Sequence, residues 1–218
     1  MSGSARSRPS RLLAASVVEE RIALPVGDVA LSRPRDAEAL LTEEGFEREE
    51  FLPYWAELWS SAVALADDIA RRSLRAERVL ELGCGLGLPS IAAVLAGGRV
   101  LATDWSPDAV RVTAANAALN GVELETAEVA WADPGPIVER GPWRYVIASD
   151  VLYEPRNVDQ LLELLPRLVD RKGRILIADP GRRPAEDFLE RAAAGRWHVR
   201  TTSSSRSPRV QIHRLRLR

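Results

Sequence analysis

The segment Val79-Leu80-Glu81-Leu82-Gly83-Cys84-Gly85-Leu86-Gly87-Leu88 constrains this chain more than any other, because an apolar run passes into three spaced glycines and then resumes. A short buried strand that turns sharply into a helix has this pattern. Glycines at 83, 85 and 87 permit positive φ and leave no Cβ in the path of a ligand. A dinucleotide fingerprint would need another glycine three residues after Gly85, and Leu88 stands there. The turn therefore predicts a cofactor site at the carboxyl end of a strand, with NAD disfavoured.

Around this turn, strand-like and helix-like patterns alternate. Strands are expected near 78–83, 99–104, 122–129, 144–149 and 173–179, with helices near 88–96, 107–120 and 157–169 between them. Such alternation builds a mostly parallel sheet with helices on both faces. Two terminal strands, 197–202 and 210–217, are joined by a linker too short for a crossover helix, so they should pair antiparallel. The expected fold class is α/β: a Rossmann-like α/β/α sandwich on a seven-stranded, mostly parallel sheet with a C-terminal antiparallel hairpin. Ser106-Pro107-Asp108 is a helix entry that leaves Asp104 and Trp105 just outside a strand's carboxyl end.

Ahead of this core, apolar stretches around Pro25-Val26-Gly27-Asp28 suggest a β-hairpin or bent strand, an acidic helical segment is expected over 36–50, and an amphipathic helix over 59–72. The organisation is thus a disordered Ser/Arg-rich tail (1–16), an N-terminal extension (17–50) and the main domain (51–218). At 218 residues, one domain with a sizeable core is expected.

The net charge of −1 does not call for nucleic acid or an anionic membrane, and no apolar run is long enough to span a bilayer. One cysteine, Cys84, rules out an internal disulfide and fits a reducing, cytoplasmic compartment; packing is its expected role. Two histidines, His198 and His213, are too few soft ligands for a metal site. Lys172 is the only lysine among 30 basic residues, a bias that hints at a GC-rich bacterial source.

Glu81 inside its strand, the Gly-x-Gly-x-Gly turn and Asp104 closing the next strand resemble motif I and its partner in class I S-adenosylmethionine-dependent methyltransferases. The resemblance implies that Glu81, Gly83, Gly85 and Gly87 hold the methionine part, and that Asp104, next to Trp105, holds the ribose hydroxyls. A carboxylate, which only accepts hydrogen bonds, suits a vicinal diol.

Four further clusters are similar to methyltransferase family 16, the methyltransferase-like protein lysine methyltransferases. Pro53-Tyr54-Trp55-Ala56-Glu57-Leu58-Trp59 resembles the Trp-containing stretch before motif I, implying that Trp59 helps enclose the cofactor; simple aromatic packing is the alternative. Trp131-Ala132-Asp133 implies a tryptophan against the adenine, with Asp133 near the exocyclic amine or in a turn. Ser149-Asp150-Val151-Leu152-Tyr153 fits an Asp-x-x-Tyr motif. It implies a cofactor contact at Ser149, a substrate amine oriented by Asp150, and a channel lined by Tyr153. Helix capping by Asp150 and packing by Tyr153 are the alternatives. Finally, Asp179-Pro180-Gly181-Arg182 is similar to the branch acting on the electron-transfer flavoprotein β subunit, and to its bacterial relatives.

The implied activity is N-methylation of a protein lysine by S-adenosylmethionine, with S-adenosylhomocysteine as product, by a monomer or weak dimer. A small-molecule N- or O-methyltransferase is the alternative, followed by a cofactor-binding interaction protein without turnover. Nucleic acid is disfavoured as acceptor, since Ser149-Asp150-Val151-Leu152 stands where base-directed enzymes carry Asn-Pro-Pro-Tyr.

Overall fold

The computed structural model describes residues 16–37 and 53–218. The tail expected over 1–16 and the acidic helix expected over 36–50 lie almost wholly outside the described residues. Strands β1 (Val17–Leu24) and β2 (Gly27–Pro34) form the expected hairpin, paired antiparallel from Val17–Pro34 to Leu24–Gly27. Its inward side chains, Ile22, Leu24, Val29 and Leu31, are buried against the main core. At about 1.5–3 kcal/mol for each large aliphatic side chain, that contact is enough to dock the hairpin firmly.

The main sheet comprises β3 (Arg78–Leu82), β4 (Arg99–Asp104), β5 (Glu125–Glu128), β6 (Tyr145–Ser149), β7 (Arg174–Asp179), β8 (Trp197–Ser203) and β9 (Gln211–Leu217), in the order β5-β4-β3-β6-β7-β9-β8. The first five run parallel; β9 pairs antiparallel with both β7 and β8. This is the expected fold. Because β4 lies on one side of β3 and β6 on the other, the order reverses at the β3–β6 junction, where open α/β sheets form a crevice.

Among the described residues the helices are α1 (Ser60–Ala70), α2 (Leu88–Leu95), α3 (Pro107–Leu119), α4 (Gly135–Glu139), α5 (Pro155–Leu168) and α6 (Arg183–Ala194). Two of these, α4 and α6, are absent from the sequence expectation. The first is only five residues long and follows Pro134. The second buries Ala185, Phe188 and Ala192, a helical spacing masked by its many charges. Strand β5 is shorter than the expected 122–129, since it is an edge strand paired only with Leu101–Asp104 of β4.

Helix α3 fastens the hairpin through amide side chains. Asn120 Oδ1 accepts from Ala30 N (2.8 Å) while its Nδ2 donates to Ala30 O (2.7 Å). Asn116 Oδ1 accepts from Ser32 N (2.8 Å), and its Nδ2 donates to Leu86 O in the glycine turn (2.9 Å). The amides supply partners for backbone groups that β2 would otherwise leave unpaired.

Candidate active site

Strands β3, β4, β5 and β6 end around one crevice, and the connections that follow them line it: Gly83–Pro89, Asp104–Trp105, Trp131, and Ser149–Val151 with Tyr153. The far wall is Tyr54, Trp55, Glu57, Leu58, Trp59 and Ala62, from the 3₁₀ turn Tyr54–Ala56 and the start of α1. A contiguous hollow of about 340 Å³ shares Gly83, Trp105, Trp131 and Tyr153 and extends to Arg156, Asn157 and Gln160 on α5.

The glycine turn is closely packed on its underside. Gly87 adopts φ +83°, and a Cβ there would stand 2.8 Å from Thr113 Cγ2; one at Gly85, at φ +51°, would meet Trp55 O at 3.2 Å. Thr113 Oγ1 donates to Gly85 O (3.0 Å), so α3 holds the turn from below. Cys84 is buried beside Thr113, and burial pushes its thiol well up; it packs, as its sequence position suggested.

Asp104 is fixed by backbone donors. Its Oδ2 accepts from Gly85 N (3.1 Å) and its Oδ1 from Ser106 N (2.9 Å). Burial raises the carboxyl's pKa, and these amides oppose the rise. The two oxygens offer about four lone-pair sites, so the carboxylate keeps some acceptor capacity. Ser106 caps α3 as expected, its Oγ accepting from Ala109 N (3.4 Å).

Glu81 does not reach the cavity. It is fully buried behind the turn, where Ser90 Oγ donates to its Oε2 and its Oε1 has no partner among the described residues. Burial pushes its pKa to about 8, so the group carries its proton at neutral pH.

The mouth is aromatic. The Tyr54 ring sits edge-on to Trp59 (6.2 Å between centroids) and to Tyr153 (5.8 Å), and Trp59 Nε1 donates to Tyr54 O (2.8 Å). Burial raises the Tyr153 phenol. Asp150, on the cavity floor, adopts φ +57° and is held by its amide to Ala178 O (3.0 Å) and by Arg182 Nη1 on Oδ1. Helix α5 starts at Pro155 with Glu154 as its N-cap, so Asp150 caps no helix there.

A model of the lysine methyltransferase family matches residues 54–194, the span that contains both walls of this cavity. The chain belongs to the lysine methyltransferase family. Its relatives include the electron transfer flavoprotein beta subunit lysine methyltransferase of Xenopus laevis, 35% identical over 60% of this chain and 53% of that protein. Another is the EEF1A lysine methyltransferase 3 of Mus musculus, 28% identical over 75% of this chain and 72% of that one. The chain spans about half the length of the flavoprotein-directed relatives it matches. The fold is shared with a solved ribosomal protein L11 methylase of Lactobacillus delbrueckii subsp. bulgaricus (TM-score 0.61, 19% identity, 74% of this chain and 80% of that one). It is shared also with SMU.776 in complex with S-adenosylhomocysteine (TM-score 0.59, 9% identity, 73% and 50%).

With the family comes S-adenosylmethionine as cofactor. The cavity fits it: a cradle with no room for side chains, a carboxylate with spare acceptor capacity, and the indole-bearing residues Trp105 and Trp131 alongside. Of the residues singled out in the sequence, Trp59, Gly83, Gly85, Gly87, Asp104, Trp105, Trp131, Ser149, Asp150 and Tyr153 all line the crevice, whereas Glu81 and Asp133 do not. Asn157 and Gln160 were not anticipated; their i, i+3 spacing on α5 was the available signal. Among the described residues no cluster of metal-ligating side chains occurs.

Proposed function

We propose that this protein transfers a methyl group from S-adenosylmethionine to the side-chain nitrogen of a lysine in a partner protein. What carries the proposal is a single crevice in which the glycine turn and Asp104 face Asp150, Tyr153 and the Tyr54–Trp59 aromatics. The cofactor supplies an electrophilic methyl on a sulfonium. The chain's residues do the rest. Asp104 accepts from the ribose hydroxyls through its free lone pairs, the Gly83–Gly87 turn admits the methionine part, and Trp131 with Trp105 flanks the adenine.

A lysine amine, with a pKa of about 10.4 in water, must be neutral to attack. Entry between Tyr54, Trp59 and Tyr153 strips water from it and favours the neutral form. Asp150 then orients the nitrogen, so alignment rather than a strong base supplies the rate. The exposed aromatic rim supports a large acceptor, since Tyr54 is 42% and Tyr153 36% exposed. A lysine methyltransferase family and relatives that bear that activity in their names support the same acceptor.

The buried lone thiol and the arginine-rich composition support a cytoplasmic, bacterial setting, and we expect a monomer or weak dimer. No helix among the described residues is long and apolar enough to cross a membrane.

Calorimetric titration with S-adenosylhomocysteine tests the cofactor half. Micromolar binding by the protein, weakened strongly in Asp104→Ala, is expected; no binding by the unmodified protein would overturn the assignment of the crevice.

A further inference from the structure

On the face of the sheet that α1 covers, the strands continue past the C-terminal end of that helix. There they form a groove of about 520 Å³ lined by Arg72, Arg174, Arg200, Arg214, Arg216 and His198. No carboxylate among the described residues lines it. The register sets two guanidinium groups opposite one another, Arg200 facing Arg214, and places His198 opposite Arg216. Cross-strand cations repel, so this arrangement is one that an isolated sheet gains nothing from.

Neutralisation among the described residues is incomplete. Asp68 binds Arg72 (2.6 Å) and Arg214 (2.5 Å). Arg200 and Arg216 are exposed and have no ion-pair partner among the described residues. Arg174 Nη1 donates only to the carbonyls of Lys172 and Gly173. The groove floor is apolar, formed by Leu176 and the flank of Tyr145.

Edge charge alone does protect a sheet from aggregation, and β8 is an edge strand. That role needs a charge on β8. It does not need further guanidinium groups on β9, on β7 and at the end of α1, all turned to the same hollow.

We propose that this groove is a docking surface for an extended acidic segment of a protein partner. Alternate residues along a strand are about 6.8 Å apart, so the Arg200/His198 and Arg214/Arg216 rows match alternate side chains of an extended peptide. Guanidinium forks pair bidentately with carboxylates, and the apolar floor takes the intervening methylenes. Charge complementarity selects the acidic peptide. Nucleic acid is the weaker fit, because the chain as a whole is net negative and, among the described residues, the groove offers bases no Trp or Phe to stack on, its Tyr145 lying under the Arg144 guanidinium.

The surface is remote from the methyl-transfer crevice. Tyr145 and Arg174 begin β6 and β7, while Ser149 and Asp179 end them at the crevice edge, roughly 13 Å or more away along the strands. It therefore adds affinity for a partner without touching the reacting atoms. The proposal does not depend on which acceptor is methylated.

The test is fluorescence anisotropy with a labelled Glu-Ser repeat peptide of about twelve residues, compared with a single-stranded oligodeoxynucleotide of equal charge. The peptide is expected to bind in a salt-sensitive manner. The pair Arg200→Glu with Arg216→Glu should weaken binding at least about tenfold. The milder pair Arg200→Gln with Arg216→Gln should weaken it less. In all of these variants the far-ultraviolet circular dichroism and Tm should match those of the unmodified protein, which establishes that they fold and keeps this result separate from the fate of the crevice assignment. Absence of peptide binding, peptide binding indifferent to both pairs, or tighter binding of the oligonucleotide would each overturn the proposal.

Discussion

Arg182 reaches from the end of β7 to Asp150 at the end of β6, its Nη1 donating to Asp150 Oδ1 and lying 3.4 Å from Asp179 Oδ2. Asp179 in turn accepts from Gly181 N (2.7 Å) and Arg182 N (2.8 Å), which rigidifies the loop that carries the guanidinium. The carboxylate on the crevice floor is thus held by a cation, while its backbone occupies a left-handed conformation that Asp tolerates better than most residues.

One consequence concerns Asp150 itself. Asp150→Asn keeps the shape and the tolerance of positive φ but removes the charge. Cofactor affinity should stay within about twofold, whereas methyl transfer should fall by roughly a hundredfold or more, the range expected when an orienting group is lost. Unchanged transfer would remove Asp150 from the reaction.

For Asp104, the loss should appear in binding. Asp104→Ala deletes the proposed ribose acceptor and also strands Gly85 N and Ser106 N. Hydrogen bonds to charged groups contribute about 1.5–3 kcal/mol, so a ten- to hundredfold rise in the S-adenosylhomocysteine Kd is expected by calorimetry.

Asn116 links the hairpin to the glycine turn. Cofactor binding that orders Leu86 should slow amide hydrogen exchange at Ser32, because one side chain holds both. Asn116→Leu should abolish that protection and weaken cofactor binding. Equal exchange at Ser32 with and without S-adenosylhomocysteine would show that the two are uncoupled.

Two buried groups give opposite pH dependences. His213 is held neutral by burial, its pKa lowered to about 4, with Nδ1 2.9 Å from Thr201 Oγ1. The unfolded chain takes up a proton that the folded one refuses. Stability is therefore lost as pH falls from about 6.5 toward 4, by at most about 3 kcal/mol. Glu81, raised to about 8, keeps its proton when folded, so its contribution is present below about 4.5 and is lost as pH rises through 8. Glu81→Gln, which mimics the protonated acid, should flatten the Tm decline between about pH 6 and 8. An unaltered decline would assign it to another group.

Much of this molecule could be read before the structure, and the omissions have physical reasons. Strand β3, the glycine turn and the terminal β8–β9 hairpin carry local patterns of period and punctuation. So did the crevice residues that follow strand ends, because a parallel sheet collects those ends on one side. The pairing of Arg182 with Asp150 spans 32 positions and depends on β6 and β7 being neighbours, which no local pattern encodes. Glu81 lies next to the turn in sequence yet points behind it, a consequence of strand alternation and of Ser90 on α2. The cationic groove was hidden for the same reason: its arginines come from β7, β8, β9 and the residues just after α1, and only the sheet brings them together.

The most direct measurement is transfer of radiolabelled methyl from S-adenosylmethionine into a lysate of cells lacking the gene, with the modified residue located by mass spectrometry. Label on a lysine side chain of a defined protein, lost with Asp150→Asn, is the expected result. Label confined to small molecules, or placed on arginine or nucleic acid, would contradict protein-lysine methylation.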